Sequence, residues 1–243
     1  MRCVLEFTYK WYINLVDIIN NSYQIKSWND TEDGVIIRHD IDYDLKKAYE
    51  FAKLEKELGI RNTYFLLLSS DFYNVFSEES AKYIEGIMEC GHEIGLHFDE
   101  KRYGDNAEKE FLVDKIQWEA RVLSELAGES VDVVSMHRPS ERMLEWDLEI
   151  PNMVNTYSRE FFDNYKYVSD SRRRWREDVK SVIQDKEYKN IQILIHPFWY
   201  ADEENVIHDA IADFVNRANV ERYDCLDRNI TDLYSIMKRE EVN

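Results

Sequence analysis

Glycine and proline are scarce, with seven of one and three of the other in 243 residues. That scarcity excludes collagen-like repeats, flexible linkers and low-complexity disorder. Cysteine is scarce too. Cys3, Cys90 and Cys225 are odd in number and far apart, which excludes a disulfide framework or a thiolate zinc site and predicts reduced, buried thiols. Basic residues are outnumbered, 31 against 49 acidic ones, for a formal net charge of −18. Nucleic acid and anionic membrane both require a basic surface, so neither is an expected partner. No apolar run approaches a membrane span, and "MRCVLEFTYKWYINLVDIINN" is no signal peptide, since Asp17 interrupts its apolar run. A cytoplasmic protein without membrane insertion is expected.

Apolar residues make up 44% of the chain, enough for a full core. With no internal repeat and no compositional break, residues 1–243 read as a single domain. Strand-like segments at 35–39, 62–68, 92–98, 131–137, 165–171 and 190–196 alternate with helical periodicity, and the less regular stretch 141–165 holds a short helix and the strand "MVNTYS". The helical segments fall at 8–20, after 44, 77–91, 106–127, 202–218 and 229–239. Thr8 is placed to cap the first helix and Asp44 the second. Strand then helix, repeated, is a parallel α/β pattern, which a (β/α) barrel and an open doubly wound sheet satisfy equally.

The stretch "VIIRHDIDYD" (35–44) runs a buried strand into ionisable groups, a costly arrangement without a purpose. Four of the six histidines stand at strand ends: His39, His97, His137 and His196. In parallel α/β folds, sites gather at that edge. His92 and His208 lie elsewhere and read as structural. Alternation along a strand puts Asp40 and Asp42 on one side, with His39 and Ile41 on the other. A carboxylate and imidazole set without thiolate suits a divalent metal, Zn²⁺ first and Co²⁺, Ni²⁺ or Mn²⁺ after it. A second carboxylate then serves as base and a histidine as acid.

Several motifs, in order over residues 35 to 200, resemble the polysaccharide deacetylases, the NodB-homology group of carbohydrate esterases. "RHDID" and "GIRNTYF" match that group's first carboxylate pair and second strand. "GHEIGLHF" matches its second motif, "HRPS" loosely its third and "LIH" its last. The resemblance implies a distorted seven-stranded (β/α), TIM-like barrel that removes acetyl groups from sugars. It makes Asp40 the base, Asp42 and His97 metal ligands, Arg138 the charge that holds the base, and His196 the acid with Asp170 as its partner. The implied role is in cell-surface polysaccharide biosynthesis. The expected substrate is a small acetylated sugar, nucleotide- or lipid-linked.

The sequence departs from the group at two points. The adjacent Asp-Asp pair is here Asp-Ile-Asp, so base and ligand could exchange roles. The usual second ligand histidine, four residues after His97, is Lys101, a poor ligand because its amine is protonated. His137, ending the next strand, is the expected third ligand, with Asp99 as rival. Trp175, within "SRRRWRED", and Trp199 are candidate stacking platforms for substrate, though the arginine run also reads as a solvated helix start. Two other functions fit: a catalytically silent barrel that binds a sugar or protein, and a related C–N hydrolase of small amides.

Overall fold

The computed structural model describes residues 6–242. Seven strands form one parallel sheet: β1 (Val35–Ile41), β2 (Thr63–Leu67), β3 (Glu93–Phe98), β4 (Val133–Met136), β5 (Val154–Asn155), β6 (Lys166–Ser169) and β7 (Ile191–Ile195). Their order is β5-β4-β3-β2-β1-β7-β6. The last strand in sequence returns beside the first on its far edge, as it does in a closing barrel, and the seam falls between β5 and β6. The sheet is strongly curled. The Arg38 side chain of β1 reaches the Thr156 hydroxyl just after β5, at 2.8 Å. In a flat sheet those strands, four positions apart, would be about 19 Å apart at 4.8 Å per strand. The architecture is therefore a distorted, incomplete (β/α)7 barrel and not an open doubly wound sheet.

All seven residues of β1 are buried, and their alternation sorts them. Ile36 faces the barrel interior with Phe65, Val133 and Phe161. Val35 and Ile37 face outward beneath α1 (Tyr9–Asn20) and α7 (Val179–Asp185). Gly95 on β3 leaves room for the interior: a Cβ there would meet the Phe65 ring at 2.6 Å. Helices α2 (Leu45–Glu57), α3 (Glu78–Glu89) and α4 (Lys109–Ala127) cover the outer face. Both expected caps form. The Thr8 hydroxyl accepts from Trp11 N at 3.1 Å, and Asp44 accepts from Lys46 N at 3.0 Å.

A polar cluster is buried among the outer apolar layers. Fully buried Glu55 of α2 accepts from Asn62 Nδ2 at 2.6 Å, Tyr64 Oη at 2.7 Å and the Tyr12 hydroxyl, with His39 Nε2 at 2.9 Å. His92 lies 3.7 Å away and bonds the Ala52 carbonyl, in keeping with its structural reading. An isolated buried carboxylate is costly, and this one is offset by four neighbours that tie α1, β1 and β2 to α2.

Several expectations need correction. The segment "MVNTYS" supplies only the two residues of β5, followed by the short α6 (Arg159–Asn164). The short helix expected within 141–165 does form, as α5 (Glu141–Glu145) after β4. The final helices differ from the expected 202–218 and 229–239: α8 runs over Ile207–Asp227 and α9 only over Leu233–Ile236. No glycine or proline interrupts 207–227, so the helix continues past the residue where its apolar pattern weakens. "SRRRW" begins no helix, since Arg172 and Arg173 have φ of 60° and 55° and form a turn. Cys90 is half-buried and Cys225 exposed, contrary to the buried thiols expected, and Cys3 lies outside the described residues. No described helix is long and apolar enough to cross a membrane.

Candidate active site

The chemistry collects at the C-terminal end of the sheet. The alternation that turns Ile36 inward also turns in Arg38, Asp40 and then Asp42 just past β1. It turns His39 outward onto Glu55, so that histidine is structural and not part of the site. His97 enters from β3, His137 from the end of β4, Asp170 from the end of β6 and His196 from the end of β7.

Asp42 is the centre of the group. Its Oδ1 lies 3.3 Å from His97 Nε2 and 3.9 Å from His137 Nε2, and its Oδ2 lies 3.8 Å from His196 Nε2. Burial alone would raise this carboxyl, but the surrounding His97, His196 and His137 reverse that and hold it at about 2. Each imidazole is oriented by its other nitrogen. His97 Nδ1 donates to the Ser135 carbonyl at 3.3 Å, and His137 Nδ1 to Asp99 Oδ2 at 3.3 Å. Both bonds place the proton on Nδ1, which leaves the Nε2 lone pair of His97 facing Asp42 and that of His137 accepting from Arg138 Nε at 3.1 Å.

This donor set fits a divalent cation. Asp42, His97 and His137 each offer a ligand atom, all within 4.8 Å of one another, and Asp42 Oδ1 is buried with no hydrogen-bond partner. Three protein ligands with further positions open is the pattern of a catalytic zinc site. Asp99 is therefore not the rival to His137 but its support, and it also accepts from Lys101 N at 3.1 Å. Lys101 is exposed on a short 3-10 turn over Glu100–Tyr103.

Asp40 is 4% exposed, and its two oxygens differ in kind. Oδ2 accepts from Arg38 Nη2 at 3.1 Å, while Oδ1 is buried without a partner. The expectation that Arg138 holds this carboxylate is incorrect. Arg138, exposed and at a positive φ of 47°, donates from Nε to His137 Nε2 at 3.1 Å. Arg38 takes the position beside Asp40 because it shares the inward face of β1, whereas Arg138 follows His137 on a turned loop. The Arg38 guanidinium is fully buried and also bonds the Tyr157 hydroxyl at 3.1 Å.

His196 Nδ1 donates to Asp170 Oδ1 at 2.6 Å, and the His196 backbone N–H bonds the same carboxylate at 3.1 Å. Burial opposes the charge on His196, yet Asp170, with Asp42 and Asp40 beyond it, pushes its pKa up to about 9. The two tryptophans are not open platforms. Trp199 is 7% exposed beside Tyr43, and Trp175 packs on Trp11 with ring centroids 5.6 Å apart, both in the outer core. Arg38 and Ser135 do not stand out in the sequence, whereas Asp99 does, but as a rival ligand and not as the partner of His137 Nδ1. Arg38 and Ser135 each stand two residues from a recognised site residue on an inward-facing strand side, so period-two spacing is the signal that finds both.

No protein-family model and no curated protein matches the chain. Three solved structures illustrate what it is similar to. A CE4 family pseudoenzyme from Bacillus anthracis is 13% identical, with a TM-score of 0.45 over 77% of this chain and 62% of that one. The chain thus spans less than two thirds of that protein's length. A family 4 carbohydrate esterase from the same organism is 14% identical, with a TM-score of 0.44 over 84% and 86% of the two chains. A family 4 acetyl xylan esterase from Clostridium thermocellum, in complex with a cobalt ion, is 14% identical, with a TM-score of 0.41 over 76% and 82%.

Proposed function

We propose that the protein is a metal-dependent hydrolase that removes an acetyl group from a sugar, of the kind needed in cell-surface polysaccharide assembly. One observation carries the reading: Asp40, Asp42, His97, His137 and His196 meet at one end of the barrel, around a buried and unpartnered Asp42 Oδ1.

Asp42, His97 and His137 would hold the divalent ion. When bound, such an ion supplies Lewis-acid polarisation of the acyl carbonyl. The remaining work falls to the chain. Asp40 has one oxygen fixed by Arg38 and the other free, and that free Oδ1 takes a proton from the attacking water. His196, protonated at neutral pH and aimed by Asp170, gives its Nε2 proton to the leaving nitrogen or oxygen of the sugar as the acyl bond breaks. Acetate and the free amino or hydroxyl sugar are the products.

Asp40→Asn and His196→Ala should each lower acetate release by about 10²–10⁴-fold, the usual size of general acid–base effects. Metal content should survive His196→Ala. Elemental analysis of the purified protein, with an acetate-release assay on acetylated sugars, tests the reading directly. A metal-loaded protein that releases no acetate from N- or O-acetyl sugars is instead a silent barrel.

A further inference from the structure

Arg138 faces a way that strand alternation would not turn it. Successive residues of an extended chain point to opposite sides. With His137 turned into the site, Arg138 should therefore point away from it. It also precedes Pro139, and a residue before proline is steered toward extended backbone. Instead its φ is 47°, in the left-handed region that few residues other than glycine enter. That turn folds the side chain back over its neighbour, so that Nε donates to His137 Nε2 at 3.1 Å. Among the described residues this guanidinium makes no ion pair with a carboxylate, so the bond to His137 is what the strained turn achieves. Strain of this kind persists only where the surrounding structure holds it, and it gathers at functional sites.

A neutral imidazole has a single lone pair. In His137 it lies on Nε2, because Nδ1 carries the proton donated to Asp99. A guanidinium has only N–H groups to offer, so Nε2 is the acceptor in its bond with Arg138. Asp42, His97 and His137 are the groups placed to hold a divalent ion. His137 can join that set only through the same lone pair. Arg138 and the ion therefore exclude one another at Nε2, and two positive charges side by side add to the exclusion.

We propose that Arg138 is a gate on the metal site: it competes with the divalent ion for His137 Nε2 and must swing away before the third ligand can bind. The proposal rests on reading Asp42, His97 and His137 as a metal site, the premise of the hydrolase reading. The way out is open, since Arg138 stands at the surface. Metal affinity falls by the fraction of molecules in which His137 is free. A hydrogen bond from a charged donor lowers that fraction by about tenfold or more. The gate thus sets a threshold that ions with weak affinity for imidazole, Mg²⁺ among them, fail first.

Calorimetric titration of the full chain with Zn²⁺ tests it. Arg138→Ala and Arg138→Met both remove the donor at an exposed position, and thermal melts check that each variant keeps the native fold. Each should bind Zn²⁺ about tenfold or more tightly than the native chain. In all three chains, binding should fall away when Asp42→Asn is added. A native or weaker Zn²⁺ affinity in either folded variant, with binding still dependent on Asp42, overturns the gate and leaves the metal site standing. Zn²⁺ binding indifferent to Asp42→Asn overturns the metal site and the gate with it. A tighter, Asp42-dependent site that releases no acetate from acetylated sugars upholds the gate and overturns hydrolysis.

Discussion

Arg38 and Asp40 stand two residues apart on one face of β1, with guanidinium and carboxylate 3.1 Å apart and both buried. The pair fixes one oxygen of the proposed base and leaves the other without a partner. Arg38→Met should lower kcat/KM by about 10²-fold, the lower end of general-base effects. Arg38→Lys, which keeps the charge, should recover part of that loss. Arg138→Ala should leave kcat far less affected. Steady-state kinetics, with thermal melts as a check on folding, decide between the two arginines, and the reverse ranking would return the role to Arg138.

In the proposed metal site His137 would bind the ion and Asp99 would orient that imidazole through Nδ1. His137→Ala should cost orders of magnitude in Zn²⁺ or Co²⁺ affinity, whereas Asp99→Ala should cost about 10–100-fold, the usual effect of losing a ligand's orienting partner. Calorimetric metal titration separates them. An Asp99 variant as poor as the His137 variant would make Asp99 a direct ligand.

The acid is expected to set the alkaline limb of the pH profile. His196 is raised to about 9 from its ordinary 6.5, so the protonated form, and with it kcat/KM, is lost as pH rises through about 9. The same sign governs stability, because the folded state's extra proton stabilises fully below about 6.5 and ceases to do so as pH passes 9. Asp170→Asn should bring the limb down toward 6.5, read from kcat/KM between pH 6 and 10.

Away from the site, Glu55→Ala should destabilise the protein by about 3–5 kcal/mol, the range for removing one partner from a buried ionic group. Glu55→Gln should cost less, since its amide keeps one acceptor for Tyr12 or Tyr64. Denaturant melts measure both, and an unchanged midpoint for Glu55→Ala would show that the cluster carries no net stability.

Much of this architecture was legible because two periodicities carry it. The alternation of β1 placed Asp40 and Asp42 together, and the strand-end positions of His97, His137 and His196 marked one edge of the sheet. The same alternation includes Arg38, but "HRPS" drew the base-holding role to Arg138, whose direction depends on a left-handed turn that spacing does not reveal. Trp175 and Trp199 depart from expectation for another reason. An aromatic near a site and an aromatic under a helix have the same local pattern, and only the packing of Trp11 against Trp175 tells them apart. The strand within "MVNTYS" was legible, but its shortening to the two residues of β5 was not, because two residues carry no period.

The open seam gives Arg38 a second duty. With no backbone ladder between β5 and β6 among the described residues, its bonds to Thr156 and Tyr157 are side-chain ties that run from β1 across the interior to the strand beside the gap. One guanidinium thus serves both as a clasp on the barrel wall and as the counter-charge of Asp40, the proposed base. The rim beside the seam and the geometry of the base are therefore mechanically linked: a shift of the Thr156–Tyr157 segment is transmitted to Asp40 through a single rigid plane of atoms.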